Sequence, residues 1–364
     1  MQDKGALEAK RRAVAIVIPL HHYNGSKLPR SIRLCCRKNK KSIMKQILTI
    51  IPLIAFNTAH AAEPASSYPS KPVRAIVGYA PGGGSDIMGR IMGQELSKTL
   101  GHPMIVENRA GAAQNVAAEL IARSPPDGYT LFMSSAALGI NISLYPKINY
   151  HPVKDFAPVA LFAISPNLLL THPSLPPKSV TEFIAFARQY PGKLNYSSSG
   201  SGSTQHLSGE MLKVMTGIGI VHVPYRGTAP SITALLSGEV EFSLSNIPAA
   251  LAYVQSNRLR ALAITSAKRS ALLPNLPTMA EAGVPKFETS TWYGLLAPAN
   301  TPRDIVMKLN NAVNTIVKNP EFNKRLAQLG ADPVVESPEA FADFLKAEIA
   351  RWAPVVKASG AKPE

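Results

Sequence analysis

Cysteine is nearly absent from the 364-residue chain: its two copies, Cys35 and Cys36, stand side by side near the N-terminus. Everything after residue 61 lacks a thiol, which excludes disulfides, a cysteine nucleophile and a Cys-ligated metal there. Long apolar runs are missing as well. Ile47–Phe56 spans ten residues, where a membrane-crossing helix needs ~20, and no later segment approaches it. Acidic residues are outnumbered, 23 against 39 Lys and Arg for a net charge of +16, yet the excess is local. Twelve of the basic residues fall in residues 1–61 against only Asp3 and Glu8, which leaves 27 basic and 21 acidic residues, or +6, for residues 62–364. That stretch has no basic block and no interleaving of aromatic with basic side chains, so a nucleic-acid groove is excluded.

What the N-terminal region does contain is ordered. Arg37-Lys38-Asn39-Lys40-Lys41 and Lys45 form a positive flank, Ile47–Phe56 an apolar stretch, and Asn57-Thr58-Ala59-His60-Ala61 a run ending in small residues. That order reads as a secretory signal peptide cleaved near Ala61, with a periplasmic product. Residues 1–43 read as an upstream extension, and Met44 as an alternative start.

With 46% hydrophobic residues the chain can build large cores, and its length suits two domains. From Lys71 onward short apolar runs alternate with amphipathic segments, which predicts an α/β fold. Strands are expected at Val73–Tyr79, Met104–Glu107 and Tyr129–Met133, with helices opening at Ser85 or Asp86 and at Ala113. A second series follows Leu168-Leu169-Leu170: a helix capped by Ser179, then strand Leu194–Ser197, helix Thr204–Met215, strand Ile220–Val223, helix Ala229–Leu236, strand Val240–Leu244, helix Ile247–Ser256 and strand Leu259–Thr265. Beyond Trp292–Ala297 the pattern turns helical, with Pro302, Pro320 and Pro338 at helix starts, where proline is well placed. The chain is expected to cross from a first domain (62–168 plus 289–364) into a second (169–288) and to return, so that two connections form a hinge beside a cleft. Residues 1–61 stand apart as the extension and signal peptide.

Four strand-to-helix junctions share one design, with small or polar residues leading straight into a helix. They are Ala80-Pro81-Gly82-Gly83-Gly84-Ser85-Asp86, Ser197 to Thr204 (SSSGSGST), Tyr225-Arg226-Gly227-Thr228 and Ser245-Asn246-Ile247-Pro248; Ser134-Ser135 is a possible fifth. Free N–H groups and the positive end of the helix dipole attract an anion at such a place, glycine admits a close approach, and serine adds hydroxyls. In open α/β sheets these loops lie at the carboxyl ends of strands, where ligands bind.

Several motifs, in order, resemble the Bug receptors, the extracytoplasmic solute receptors of tripartite tricarboxylate transporters. They include Tyr68-Pro69-Ser70-Lys71-Pro72-Val73-Arg74, Pro81 to Asp86, Val106-Glu107-Asn108-Arg109-Ala110-Gly111 and Pro126-Asp127-Gly128-Tyr129-Thr130-Leu131. The likeness continues through His222 to Gly227, Ala261 to Arg269, Pro277 to Gly283 and Trp292 to Pro298. It implies a type-II-like periplasmic binding protein: two α/β lobes, a two-crossover hinge, and a cleft that closes on a small mono-, di- or tricarboxylate. It also implies membrane transporter subunits as partners. By position, the ligand-binding residues it implies are Ala80, Gly82, Gly83, Gly84, Ser85, Asp86, Ser199, Gly200, Ser201, Gly202, Thr204 and His206. Ser134, Arg226, Ser245 and Asn246 join them from the other junctions. Ser85 stands where threonine is common and keeps the hydroxyl. Ser245-Asn246 stands where Asp-Asn is frequent, and loss of that aspartate favours a ligand without a cationic group.

Blander readings stand beside these. Asn246 serves equally well as a helix cap. Arg226 reads first as a solvated loop cation, and otherwise as a partner for a distal carboxylate. Trp292 and Tyr293 read as hinge packing rather than ligand stacking. His206 and Glu210 lie one helical turn apart, but no second His or Cys pair completes a metal site, so no metal or cofactor is expected. No Gly-Lys-Ser/Thr follows the first glycine loop, Gly200-x-Gly202 lacks a third glycine, and no Gly-x-Ser-x-Gly elbow occurs. An enzyme, here a periplasmic hydrolase, is therefore the weaker class. A monomer is expected, and a receptor signalling to a membrane kinase remains the alternative to a transport receptor.

Overall fold

The computed structural model describes residues 66–363, so the expected signal peptide, Met44 and both cysteines lie outside the described residues. In chain order the elements are β1 (Val73–Val77), α1 (Gly84–Leu100), β2 (Met104–Asn108), α2 (Asn115–Ala122), β3 (Thr130–Ser135), α3 (Ala137–Leu144) and β4 (Phe156–Thr171). Then come α4 (Val180–Gln189), β5 (Leu194–Ser198), α5 (Thr204–Thr216), β6 (Ile220–Pro224), α6 (Thr228–Ser237), β7 (Phe242–Asn246), α7 (Ile247–Gln255) and β8 (Arg260–Ile264). The chain ends with β9 (Ser290–Pro298), α8 (Arg303–Lys318), α9 (Pro320–Gln328), β10 (Asp332–Pro333) and α10 (Pro338–Ser359).

The strands run in the order β2-β1-β3-β9-β4-β7-β5-β6, with β8 and β10 also paired to β4. β1, β2 and β3 are mutually parallel, as are β5, β6 and β7, so their carboxyl ends emerge together and feed helices. β4 belongs to both halves. Phe156–Pro166 pairs antiparallel with β9, and Asn167–Thr171 pairs antiparallel with β7. Two prolines interrupt its pattern, which hides it in the sequence. Pro158 lies at a register shift and Pro166 at the switch from one half to the other, the positions where a strand tolerates the missing N–H.

The second passage between the halves runs from β8 through residues 265–289 to β9 and lies against the first. The buried Thr265 hydroxyl accepts from Asn167 N–H at 2.8 Å and donates to Thr289 O at 2.6 Å. Two hydroxyl pairs tie α5 to the end of this passage and to β9: Ser208 with Thr289 (2.8 Å) and Thr204 with Thr291 (2.6 Å).

Each half has its own core. Met88, Met92 and Leu96 of α1 pack with Leu131, Leu295 and Leu309 in the first, and Phe183, Tyr196, Phe242 and Phe287 pack in the second. α1 buries the face marked by its apolar spacing and ends at Gly101 (φ 72), which adopts the left-handed cap readily. A smaller cluster of Ile140, Leu144, Leu207, Trp352 and Val356 joins α3, α5 and α10. Among the described residues no helix is long and apolar enough to cross a membrane.

Two expectations need correction. The helix predicted from Ala113 begins at Asn115, because Ala112, Ala113 and Gln114 (φ 44, 44 and 69) are left-handed. Asn141 Nδ2 holds Ala113 O at 2.9 Å, and Gln114 is seated over Gly78, where no Cβ interferes. The strand predicted to stop at Leu244 continues through Ser245 and Asn246, so both belong to β7 rather than to a loop after it.

Candidate functional site

The carboxyl ends of the parallel strands from the two halves meet face to face. Ala80 N–H donates to Arg226 O at 3.2 Å, joining the loop after β1 to the loop after β6. A Cβ built on Gly83 would lie 3.2 Å from Thr228 Cβ and 3.5 Å from Thr228 N; one on Gly82 would lie 3.5 Å from Ala229 Cβ. On Gly84 it would lie 2.3 Å from Asn246 Oδ1 and 2.7 Å from the Tyr293 hydroxyl. The N-termini of α1, α6 and α7 therefore converge on one another.

These three helix starts, at Gly83, Gly227 and Asn246, receive no side-chain cap. Of the other described helices, α4, α5, α9 and α10 are capped by Ser179, Ser203, Asn319 and Ser337, while α2, α3 and α8 also lack a side-chain cap. Uncapped N–H groups keep their donors and their share of the helix dipole for an incoming acceptor. The surroundings are polar and buried, with the carboxylate of Asp86 in the first turn of α1. Ser85, Thr228, Ser245, Asn246, Gln205 and Tyr293 are all buried, and no Lys or Arg is buried among the described residues. Asn246 Oδ1, Gln205 Oε1 and the Tyr293 hydroxyl lack hydrogen-bond partners, an arrangement that costs about 1–3 kcal/mol per group unless a donor or acceptor arrives. Burial pushes the pKa values of Tyr79 and Tyr293 well up, with a hydrogen bond to Ser135 offsetting part of the rise at Tyr79, so both keep their proton and stay neutral.

A second group of contacts surrounds the loop after β5. A Cβ on Gly200 would lie 3.4 Å from both Ala113 N and Tyr225 O, and one on Gly202 only 2.0 Å from Asn141 Oδ1. The Tyr145 hydroxyl donates to Ser201 O at 2.8 Å. Ser199, Gly200, Arg226, Tyr79 and Gly111–Ala113 line a small cavity of about 10 Å³. Arg226 is exposed and has no acidic partner among the described residues.

The predicted residues thus separate by what their side chains hold. Gly82, Gly83, Gly84, Ser85, Ser245 and Asn246 gather at the convergent helix starts; Ala80, Ser199, Gly200, Ser201, Gly202 and Arg226 gather beside them. Three others are engaged with the scaffold. Asp86 accepts from Gly82 N–H (2.9 Å), Asn108 Nδ2 (2.9 Å) and Arg90 Nε (3.0 Å). Burial works against its ionisation, but those bonds and the Arg90 charge outweigh it and hold the carboxyl below its usual range. His206 Nδ1 accepts from Gly202 N–H at 3.1 Å, and its ring stacks on His222 at 3.9 Å. Burial and then Lys213 lower its pKa to about 4. Thr204 is paired with Thr291. Ser134 is fully buried in β3, with only a long contact of 3.5 Å to Ser135 O. The structure brings Tyr79, Gln114, Asn141 and Tyr145 to these loops, which the sequence did not mark, while Gln205 and Thr228 lie inside loops it marked without being singled out. Thr228 and Gln205 each sit in the first turn of a helix opening from a small-residue loop, the signal that marked their neighbours. Among the described residues no three His, Cys, Asp or Glu side chains group to hold a metal.

A family model described as the tripartite tricarboxylate transporter family receptor matches residues 88–361. Protein BugT of Bordetella pertussis is 38% identical over 323 residues, covering 88% of this chain and 99% of its own. A Rhodopseudomonas palustris protein solved with adipate superposes with a TM-score of 0.80 at 39% identity, covering 82% of this chain and all of its own. MatC from the same organism, solved with malate, superposes at 0.76 with 36% identity, covering 79% of this chain and all of its own.

Proposed function

Because the chain belongs to the tripartite tricarboxylate transporter receptor family, we propose that it captures a small carboxylate between its two halves and delivers it to the membrane subunits of such a transporter. The fold is the family's periplasmic binding fold, and family members are solute-binding receptors rather than enzymes. The observation that carries the ligand class is the convergence of the uncapped starts of α1, α6 and α7, with neutral hydroxyls around them and no buried cation among the described residues. Such a site binds an anion through N–H and O–H donors, and a carboxylate is an anion of that kind. The adipate and malate of two structural neighbours belong to the same class. The two halves act as the lobes of a hinge, divided near residues 168 and 289, and close on the ligand as a monomer. Family membership supports a working place outside the cytoplasmic membrane; cleavage near Ala61 is our own reading of the N-terminal sequence, and N-terminal sequencing of the mature protein tests it.

Ser245 narrows the class. An ammonium taken into this buried place needs an anion beside it, and residue 245 offers a hydroxyl while Asp86 is engaged elsewhere. Calorimetry with succinate, malate, adipate, aspartate and the neutral succinamide tests the reading. At least one dicarboxylate should bind at about 1 µM or tighter, some −8 kcal/mol, with aspartate weaker and succinamide silent. Binding of aspartate alone, or of none of the acids, would sink it.

A further inference from the structure

Gln205 lies in the first turn of α5 and is 1% exposed. Its Nε2 donates to Thr228 Oγ1 at 3.1 Å and approaches Ser245 Oγ at 3.4 Å. Both hydroxyls thereby receive a hydrogen bond and retain their own proton for an anion, so one end of the Gln205 amide aims donors at the carboxylate. The other end, Oε1, is buried without a partner, and so is Asn246 Oδ1. Thr228 abuts Gly83 and Asn246 abuts Gly84, which places the two amides on either side of the α1 start.

A ligand carrying only carboxylates has nothing to donate to these two oxygens. Burying it leaves them without a partner, which is the expensive outcome for a polar group. A hydroxyl on the carbon beside the carboxylate supplies one proton, enough to satisfy one of the two oxygens, which we assign to Gln205 Oε1. An ammonium does so as well but brings a charge that nothing nearby compensates: Asp86 is held by Arg90, Asn108 and Gly82, and Glu210 by Tyr196 and Lys213. We infer that Gln205 is a specificity-determining residue that reads a hydroxyl adjacent to the ligand carboxylate, so that the protein selects hydroxy-carboxylates over the corresponding plain acids. This selectivity rests on the carboxylate reading of the site.

Calorimetry on matched pairs tests it: succinate with each enantiomer of malate, glutarate with 2-hydroxyglutarate, and adipate with 2-hydroxyadipate. For the chain length that binds best, the hydroxy acid should be about tenfold tighter, the size of a hydrogen bond that leaves buried groups unpaired when absent. Gln205→Met, which removes the acceptor together with the amide donor to Thr228 and Ser245, should weaken both acids and bring their ratio toward one. If the plain acid binds as tightly as its hydroxy partner in the wild-type protein, the inference falls and the carboxylate reading stands. If the ratio survives in Gln205→Met, the assignment to Gln205 is wrong. If none of the acids binds, the carboxylate reading fails and takes this inference with it.

Discussion

Gly84 meets Asn246 Oδ1 and the Tyr293 hydroxyl at distances where a methyl group cannot fit, whereas Gly83, one residue earlier, faces Thr228 with only a few tenths of an ångström to recover. Neither glycine has a positive φ, so alanine is free of backbone strain at both places and the contact alone decides the outcome. Tyr293 is fully buried and cannot swing aside. Gly84→Ala should therefore hold the two halves apart and weaken carboxylate binding by more than tenfold. Gly83→Ala should cost under threefold, and both variants should melt within a few degrees of the wild type. Equal affinities for the two variants in calorimetry would show that the Gly84 contact plays no part in capture. The same neighbourhood shows what the sequence reveals at single residues. Glycines after a strand announce a close approach of backbone, and they lie where the halves touch. Polar side chains announce nothing about direction. Asp86, Thr204 and His206 stand in the same loops as Ser85 and Gly202, yet their side chains fasten the scaffold, while Gln205, one residue from each of the last two, faces the helix starts. The difference arises from helical phase and long-range partners such as Thr291, 87 residues away.

Helix α5 carries the loop of Ser199–Ser203, and two stacked imidazoles support that loop. His222 Nε2 pairs with Ser198 Oγ at 2.6 Å, Ser198 Oγ in turn receives Gly200 N–H at 3.1 Å, and His206 receives Gly202 N–H. Burial, and then the neighbouring His206, lowers the pKa of His222 to about 2. His206, at about 4 in the fold against 6.5 unperturbed, is neutral at pH 7. Between those two values the unfolded chain binds a proton there that the folded one does not, so stability falls as pH drops through that window. The full effect is on the order of 3 kcal/mol at His206. His206→Gln, whose carbonyl can take the Gly202 N–H, should lose that share of the pH dependence in urea unfolding between pH 7 and 4.5; an unchanged slope would place the acid sensitivity elsewhere. Most elements were readable because their cues are local: Ser179 before α4, proline at the starts of α9 and α10, Gly101 after α1. α3 was not, since Ala137–Leu144 is apolar nearly all round and lacks a polar face to give it a period. The turn at Ala112–Gln114 was hidden for the opposite reason. Residues that favour a helix are forced left-handed by partners in α3 and β3 that only the fold brings near.

At the scale of the molecule, two kinds of contact join the halves. The strand passages through Asn167 and Thr265–Thr289 are covalent and remain joined in any hinge motion. The cluster of Ile140, Leu144, Leu207, Trp352 and Val356 is different. Leu207 comes from α5 in the second half, and its partners come from α3 and α10 beside the first. Leu207 is fully buried here, and separating the halves would expose it, so this seam stabilises the arrangement in which the ligand loops meet. Truncating a buried leucine costs roughly 2–5 kcal/mol where its contacts exist. If they exist only when the halves are together, the cost falls on closure rather than on folding. Leu207→Ala should then increase the radius of gyration of the ligand-free protein in small-angle scattering. It should also weaken carboxylate binding at least tenfold, because the apparent Kd rises as the binding-competent fraction falls, while the melting temperature changes less than a core truncation such as Leu212→Ala. A Leu207→Ala protein that melts as early as Leu212→Ala yet binds with unchanged affinity would mean that the seam holds equally well open or closed, and that the hinge turns about it.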